Sequence, residues 1–293
     1  MGNGKVELKS SKELEIPEEV ASALVFANNR LKKLANEEFV EDELYAPCMH
    51  LLKNQGKMIR PGLLFSSALI LGKKPMDYID LAAGIELLHT ASLIHDDIVD
   101  KDAVRRGRDA VHVKYGTEKA VLAGDALIAK AIDFASAYGA LAVKRASQAA
   151  MDMCAGEILD YNVQSGKQQL DLHGYLRIAQ LKSASLIATS TSIVADCIGS
   201  DTRDMLYEIG LNIGYSFQLR DDILNHTGTS SDKENSRPNI VAVLEAHNKE
   251  NPLKTAVKLN NFYVDRAAEL LYGLNNNNTA LFEYYLKFLA LEI

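Results

Sequence analysis

Three aspartates, Asp96, Asp97 and Asp100, close the segment 84–100, GIELLHTASLIHDDIVD. On a helix, Asp96 and Asp100 lie one turn apart on the same face, where like charges repel by about a few tenths of a kcal/mol. They also stand where the helix dipole favours cations, so a cation is expected to offset them. Oxygen-only ligands, few and open to solvent, suit Mg²⁺, which keeps several waters and shares phosphate oxygens. Segment 217–225, FQLRDDILN, repeats the arrangement with Asp221, Asp222 and Asn225. One such motif is as readily a solvated acidic helix face. Two of them, each ending a mostly apolar helix, are expected to serve one cavity.

Cations accompany both clusters. In Gln55-Gly56-Lys57-Met58-Ile59-Arg60-Pro61, a glycine permits close backbone approach beside two natural oxyanion ligands, Lys57 and Arg60. Arg105, Arg106 and Arg108 follow Asp100 within a short loop, and a planar guanidinium matches diphosphate oxygens bidentately. His89 lies two turns before Asp96 on the same helix face; alone it reads as a core histidine. Lys182 opens the small-residue segment KSASLIATSTSIVADCIG, and alone is a charged residue at a helix start. Together these groups suit an enzyme that handles a diphosphate on an apolar tail.

The elements that carry them read as helices. Apolar stripes of helical period run over roughly 17–36, 40–55, 61–71, 77–100, 117–138, 142–163, 171–199, 202–224, 239–248, 252–273 and 279–291. No hairpin signal, sustained alternation, repeat or linker interrupts them. The expectation is an all-α, single-domain bundle of ten or more helices spanning 1–293, with residues 1–15 disordered. The segment with small residues nearly all round is expected in the middle of the bundle, packed closely against its neighbours.

Composition narrows the function. The 293 residues are 47% hydrophobic and 24% charged, as in a globular protein with a sizeable core. A net charge of −7 argues against nucleic acid, which needs a basic surface. No apolar run approaches the roughly 20 residues that span a bilayer, so no integral membrane segment is expected. Three scattered cysteines form no CxxC pair and point to a reduced, cytoplasmic compartment. The polar N-terminus is not read as a secretory signal or, with Val6 in place of Ser or Thr, as a myristoylation site.

With GKMIRP (56–61), LLHTASLIHDDIVDKDAVRRG (87–107), GE (156–157), KSAS (182–185) and FQLRDDILN (217–225) in this order, the chain resembles the trans-polyprenyl diphosphate synthases over about residues 45–250. The resemblance implies the isoprenoid synthase type I fold, a homodimer, and isopentenyl diphosphate and an allylic diphosphate (dimethylallyl, geranyl or farnesyl) as substrates. It implies three Mg²⁺, with Asp96, Asp100 and Asp221 as ligands and Asp97 and Asp222 in support. Arg105, Lys182, Gln218 and Arg237 would hold the allylic diphosphate. Lys57, Arg60, His89 and Arg106 would bind isopentenyl diphosphate. Asp96, Asp97, Asp100, Arg105, Lys182 and Asp221 would carry catalysis, by ionisation, condensation and elimination.

Two places depart from the family pattern. Asn225 stands where an aspartate is usual, and 232–237 lies over DLxxGK with Arg237 in the lysine position, after a shortened loop. In the family, the residues one turn before the first acidic motif floor the tail pocket; here Ala91 and Ser92 are small. Leu88 and Ile85 lie about 12 and 16 Å deeper along the helix. A C20 to C25 product is therefore expected. The rival readings are a class I terpene cyclase, an HD-type phosphohydrolase using His89, His95, Asp96 and Asp100, and a non-catalytic subunit.

Overall fold

The computed structural model describes residues 7–8, 16–37, 42–53, 56–228, 239–247 and 249–292. In chain order the helices are α1 (Glu18–Glu37), α2 (Asp42–Leu52), α3 (Ile59–Ile70), α4 (Ile79–Asp100), α5 (Val111–Tyr115), α6 (Thr117–Ser136) and α7 (Ala140–Gln164). They continue as α8 (Leu172–Ala179), α9 (Ser185–Ile198), α10 (Arg203–His226), α11 (Ile240–Ala246), α12 (Pro252–Gly273) and α13 (Ala280–Leu289). The all-α expectation holds, and the long helices fall where the apolar stripes put them. Two short antiparallel pairs join them: β1 (Glu7–Leu8) with β4 (Leu291–Glu292), and β2 (Val104–Arg105) with β3 (Arg108–Asp109).

The β2–β3 hairpin corrects the expectation that no hairpin exists. Its two-residue loop is Arg106-Gly107, both with positive φ (53° and 73°), as the tightest hairpin turns require. Strands of two residues carry no alternation to read, and arginine stands where that turn usually has asparagine.

The chain divides into two compact units. One comprises 17–151 and 192–201. Here α4 is the buried element: residues 81–88 are all buried, and it packs chiefly on α6, with α1 and α3 on other sides. Gly84 permits the α6 contact, since a side-chain carbon there would lie 3.1 Å from Ala131 O. The 192–201 segment is tied in by Arg145, whose Nε and Nη2 donate to the two Asp196 oxygens at 3.0 and 3.1 Å.

The other unit comprises 1–16, 152–191 and 202–293; within its first segment only Glu7, Leu8 and Ile16 are among the described residues. Its centre is the contact of α9 with α10. Residues 184–191 are all buried, as the small side chains predict. The hydroxyls of Ser185, Thr189 and Ser190 each donate to the carbonyl four residues back, which satisfies them without a partner helix. Thr191 Oγ1 instead also donates to Leu206 O, at 2.7 Å. Gly210 and Gly214, one turn apart on α10, have no room for a side chain. A carbon at Gly214 would lie 2.4 Å from Ala184 Cα, and one at Gly210 2.5 Å from Ala188 Cα.

A Gly214→Ala substitution therefore forces two backbones apart and is expected to destabilise the protein by about 1–3 kcal/mol. Urea unfolding checks this; an unchanged midpoint would contradict the close contact.

Candidate functional site

The sequence-predicted residues fall into two groups, one in each unit. In the first, α4 ends where Lys101 turns left-handed (φ 59°), and the amides of Lys101 and Asp102 both donate to Asp97 O. This cap releases the chain into the β2–β3 hairpin, which aims Arg105 back at the helix end. Arg105 Nε donates to Asp97 Oδ1 at 2.7 Å and its Nη2 to Asp102 Oδ2 at 3.2 Å. The cation expected beside the acidic motif is thus Arg105, and its principal partner is the middle aspartate. Asp97 is fully buried; burial pushes its carboxyl above the usual range, while the Arg105 hydrogen bond and charge pull it back. Asp96 and Asp100 are both half-buried.

The next residue, Arg106, sits at the hairpin tip and lies over Gly56: a side-chain carbon there would be 3.3 Å from its Nη2. This is the close approach the glycine permits. Met58 beside it is left-handed (φ 51°) at the start of α3, a conformation unusual for a large side chain. The turn carries Lys57, which is exposed, and Arg60, which is half-buried.

The charges of Arg60 and Arg106 act on two groups of α4. Desolvation, then the charges of Arg60, Arg106 and Arg105, push His89 well below its ordinary 6.5, so the imidazole is neutral at pH 7. Glu86, only 2% exposed, is raised by burial and pulled back by Arg60 and Arg106. Sequence reasoning missed Glu86, although a carboxylate inside an apolar run, one turn before His89, is a readable signal. Arg60, His89 and Arg106 are brought together as the motifs suggest.

Deeper along α4, Ile85, Leu88 and Ala91 are buried. Ser92 is half-buried and returns its hydroxyl to His89 O at 2.9 Å, which leaves its outward face small and less polar. His95 turns toward α6: its Nε2 is 3.2 Å from Val121 O, and its ring occupies the space a side chain at Gly124 would need. With His95 held there and His89 among arginines, the histidine–aspartate metal set of a phosphohydrolase is not assembled by these residues.

In the second group, Lys182 is not at a helix start. It lies within a π-helical turn, Gln180–Ala184, that joins α8 to α9 as one continuous helix. Such turns carry no glycine or proline signature and recur at functional sites. The turn is possible because Gly156 on α7 has no side chain; a carbon there would lie 2.5 Å from Lys182 N. Lys182 Nζ lies 2.6 Å from Glu157 Oε2 and 2.8 Å from Asp160 Oδ2. The GE pair thus has two tasks, contact distance and counter-charge. Asp160 was missed, though it follows Glu157 at helical spacing.

On α10, Gln218 Nε2 donates to Asp222 Oδ1 at 3.0 Å, and Ser183 Oγ donates to Gln218 Oε1 at 2.8 Å. Tyr175 Oη and the Ile240 amide donate to Asp222 Oδ2 at 2.7 and 3.1 Å. Tyr175 is 5% exposed; burial and the adjoining Asp222 charge hold its phenol well above 10. No signal in the sequence marks this tyrosine. Arg237, with the whole of 232–237, lies outside the described residues.

The donor set fits a magnesium ion. Asn225 Oδ1, one turn beyond Asp221, is buried and accepts no hydrogen bond, so an oxygen lies ready for a cation or its waters. Among the described residues, no three His, Cys, Asp or Glu side chains converge to cage an ion.

Comparison with known proteins gives this arrangement its family. The polyprenyl synthetase family model matches residues 41–264. The chain belongs to that family. It is 39% identical over 202 residues to geranylfarnesyl diphosphate synthase of Aeropyrum pernix, covering 64% of this chain and 63% of that one. It is 33% identical over 221 residues to geranylgeranyl pyrophosphate synthase of Geoglobus acetivorans, covering 73% and 69%. The chain thus spans between three-fifths and seven-tenths of these relatives. The solved geranylgeranyl pyrophosphate synthetase from Geoglobus acetivorans superposes with a TM-score of 0.80 at 25% identity, covering 94% of this chain and 97% of that one. The chain has the isoprenoid synthase type I fold. None of its helices, among the described residues, is long and apolar enough to cross a membrane.

The neutral His89 makes a pH prediction. As pH falls below 6.5, the unfolded chain binds a proton that the folded chain refuses, so folded stability declines. Between about pH 7.5 and 5.5, wild type is expected to lose more Tm than His89→Gln. Equal losses in the two proteins would contradict a neutral, cation-ringed imidazole.

Proposed function

We propose that the protein is a trans-prenyltransferase, one polyprenyl synthase domain over 1–293, that condenses isopentenyl diphosphate with an allylic diphosphate to give a C20 to C25 prenyl diphosphate. The observation that carries this reading is a pair of arginines, Arg60 on α3 and Arg106 in the hairpin turn, whose charges act on the same helix that ends in the first acidic motif. The charges of Arg60 and Arg106 act on His89 of α4, and Asp96 and Asp100 lie two and three turns further along the same helix. A terpene cyclase needs the acids but not the cation group.

In this reading Lys57, Arg60, His89 and Arg106 bind the isopentenyl diphosphate head. Neutral His89 donates one hydrogen bond, and the guanidiniums supply the charge. Arg105, Lys182 and Gln218, with Arg237, orient the allylic diphosphate. Asp96, Asp100 and Asp221 hold Mg²⁺, three ions in all, with Asp97 fixing Arg105. When bound, the metal stabilises charge on the leaving diphosphate. The allylic C–O bond breaks, its electron pair leaving with diphosphate. The alkene of isopentenyl diphosphate attacks the resulting cation, and the proton released passes to diphosphate. Buried Ile85, Leu88 and Ala91 line the tail's path and exclude water.

Small Ala91 and Ser92 favour a tail longer than farnesyl, in keeping with relatives named geranylfarnesyl and geranylgeranyl synthases. A homodimer is supported by an exposed apolar stripe on α7: Met151 and Ile158 are 67% and 62% exposed, with Tyr161 one turn on at 44%. A cytoplasmic location agrees with three cysteines outside any disulfide among the described residues.

Purified protein incubated with Mg²⁺, farnesyl diphosphate and labelled isopentenyl diphosphate is expected to give C20 and C25 diphosphates. Asp96→Ala and Asp221→Ala are each expected to lower the rate by about 100-fold or more. A dominant farnesyl product or one beyond C30 would overturn the chain length. Cyclised hydrocarbon formed without isopentenyl diphosphate would overturn the reaction.

A further inference from the structure

The two aspartates that open the second motif are adjacent in sequence, but Asp222 is committed to hydrogen bonds with the protein itself. Donors from the described residues that reach its carboxylate include Gln218 Nε2 at 3.0 Å, Tyr175 Oη at 2.7 Å and the Ile240 amide at 3.1 Å. They come from α10, α8 and the first residue of α11. The chain of bonds continues through Gln218, whose carbonyl accepts from Ser183 Oγ at 2.8 Å. Ser183 is the residue after Lys182 in the π-helical turn. Every bond in this series has the same polarity. Ser183 donates to Gln218, and Gln218 donates to a carboxylate that only accepts. Chains polarised in one sense strengthen each bond in turn.

The Asp222 charge therefore fixes which way the Gln218 amide faces, and Gln218 in turn holds the turn that carries Lys182. The same carboxylate pins the amide that opens α11. Asn239 caps this helix by accepting from Ala242 N at 3.0 Å. Asp222 thereby anchors the start of α11.

We infer that Asp222 is a positioning residue: through Gln218 and Ser183 it sets the place of Lys182, and through Ile240 it sets the start of α11, while metal binding rests with Asp221. This rests on the prenyl-transfer reading for its kinetic consequence, but the hydrogen-bond network is independent of it.

Asparagine at 222 separates the two roles. Its oxygen still accepts from Tyr175 and Ile240. Its amide can donate to Gln218 once that side chain turns over and donates to Ser183 Oγ instead. A ligand role tolerates no such exchange, because charge is lost.

Full-length wild type, Asp222→Asn, Asp222→Ala, Tyr175→Phe and Asp221→Asn would be compared by two measurements. The first, which needs no turnover, is the Tm shift on adding Mg²⁺ with inorganic diphosphate. The second is steady-state kinetics with farnesyl and isopentenyl diphosphates. Asp222→Asn is expected to keep its half-saturating Mg²⁺, in the Tm assay, within about threefold of wild type, whereas Asp221→Asn raises it about tenfold or more. Asp222→Ala and Tyr175→Phe are expected to raise KM for farnesyl diphosphate by about tenfold and leave KM for isopentenyl diphosphate unchanged.

If Asp222→Ala does not fold, Asp222→Asn and Tyr175→Phe decide the matter. A Mg²⁺ requirement raised as far by Asp222→Asn as by Asp221→Asn would overturn the inference. So would a Tyr175→Phe protein with wild-type KM for farnesyl diphosphate. Failure of the wild type to elongate farnesyl diphosphate would instead overturn the prenyl-transfer reading, and the Tm assay would still test Asp222.

Discussion

A cation meant to meet a diphosphate must first be stable inside a protein that holds none. Desolvating an unpaired charge is far more costly than leaving it in water, so each such group needs an internal partner. Arg105 has Asp97 and Asp102, and Lys182 has Glu157 and Asp160. Arg60 and Arg106 share the field of buried Glu86. Asp97 also defines where Arg105 points, because a guanidinium held at Nε has few remaining orientations. Their own surroundings show the strain of the arrangement: Glu86 and Asp97 are both raised by burial, despite arginines nearby.

Positions this exact in charge need backbones fixed to within a fraction of an ångström, and absent side chains supply that. Gly156 brings α7 against the amide of Lys182, and Gly210 and Gly214 bring α10 against α9. In the other unit Gly56 receives Arg106, and Gly84 receives the α6 backbone. Of the left-handed residues, Met58 and Arg106 sit at the turns that carry the cations. Local strain of this kind survives only where the surrounding contacts over-determine it.

Much of this was legible in the residues. Helical period located the long helices, the small-residue run announced a buried helix, and the arginines after the first acidic motif announced the ion pair that Arg105 makes with Asp97. What escaped was short or non-local. A hairpin with two residues per strand has no alternation to read, and a π turn differs from the surrounding helix by one hydrogen-bond step. Tyr175 reaches Asp222 across 47 residues of chain, and no spacing rule connects them. Glu86 and Asp160 were missed for a different reason. Each stands at helical spacing from a residue already singled out, but attention to cations and metal ligands left no role for a counter-charge.

The account implies two anion sites of different electrostatic kind: one made by arginines and needing no metal, the other made by carboxylates and dependent on it. The most direct test is calorimetric titration of isopentenyl diphosphate into wild-type protein freed of divalent cations by chelator. Saturable binding is expected without Mg²⁺, weakening as salt rises and falling about tenfold or more in Arg60→Gln. Farnesyl diphosphate under the same conditions should bind only once Mg²⁺ is restored. Isopentenyl diphosphate binding that requires Mg²⁺, or that survives Arg60→Gln undiminished, would contradict the account.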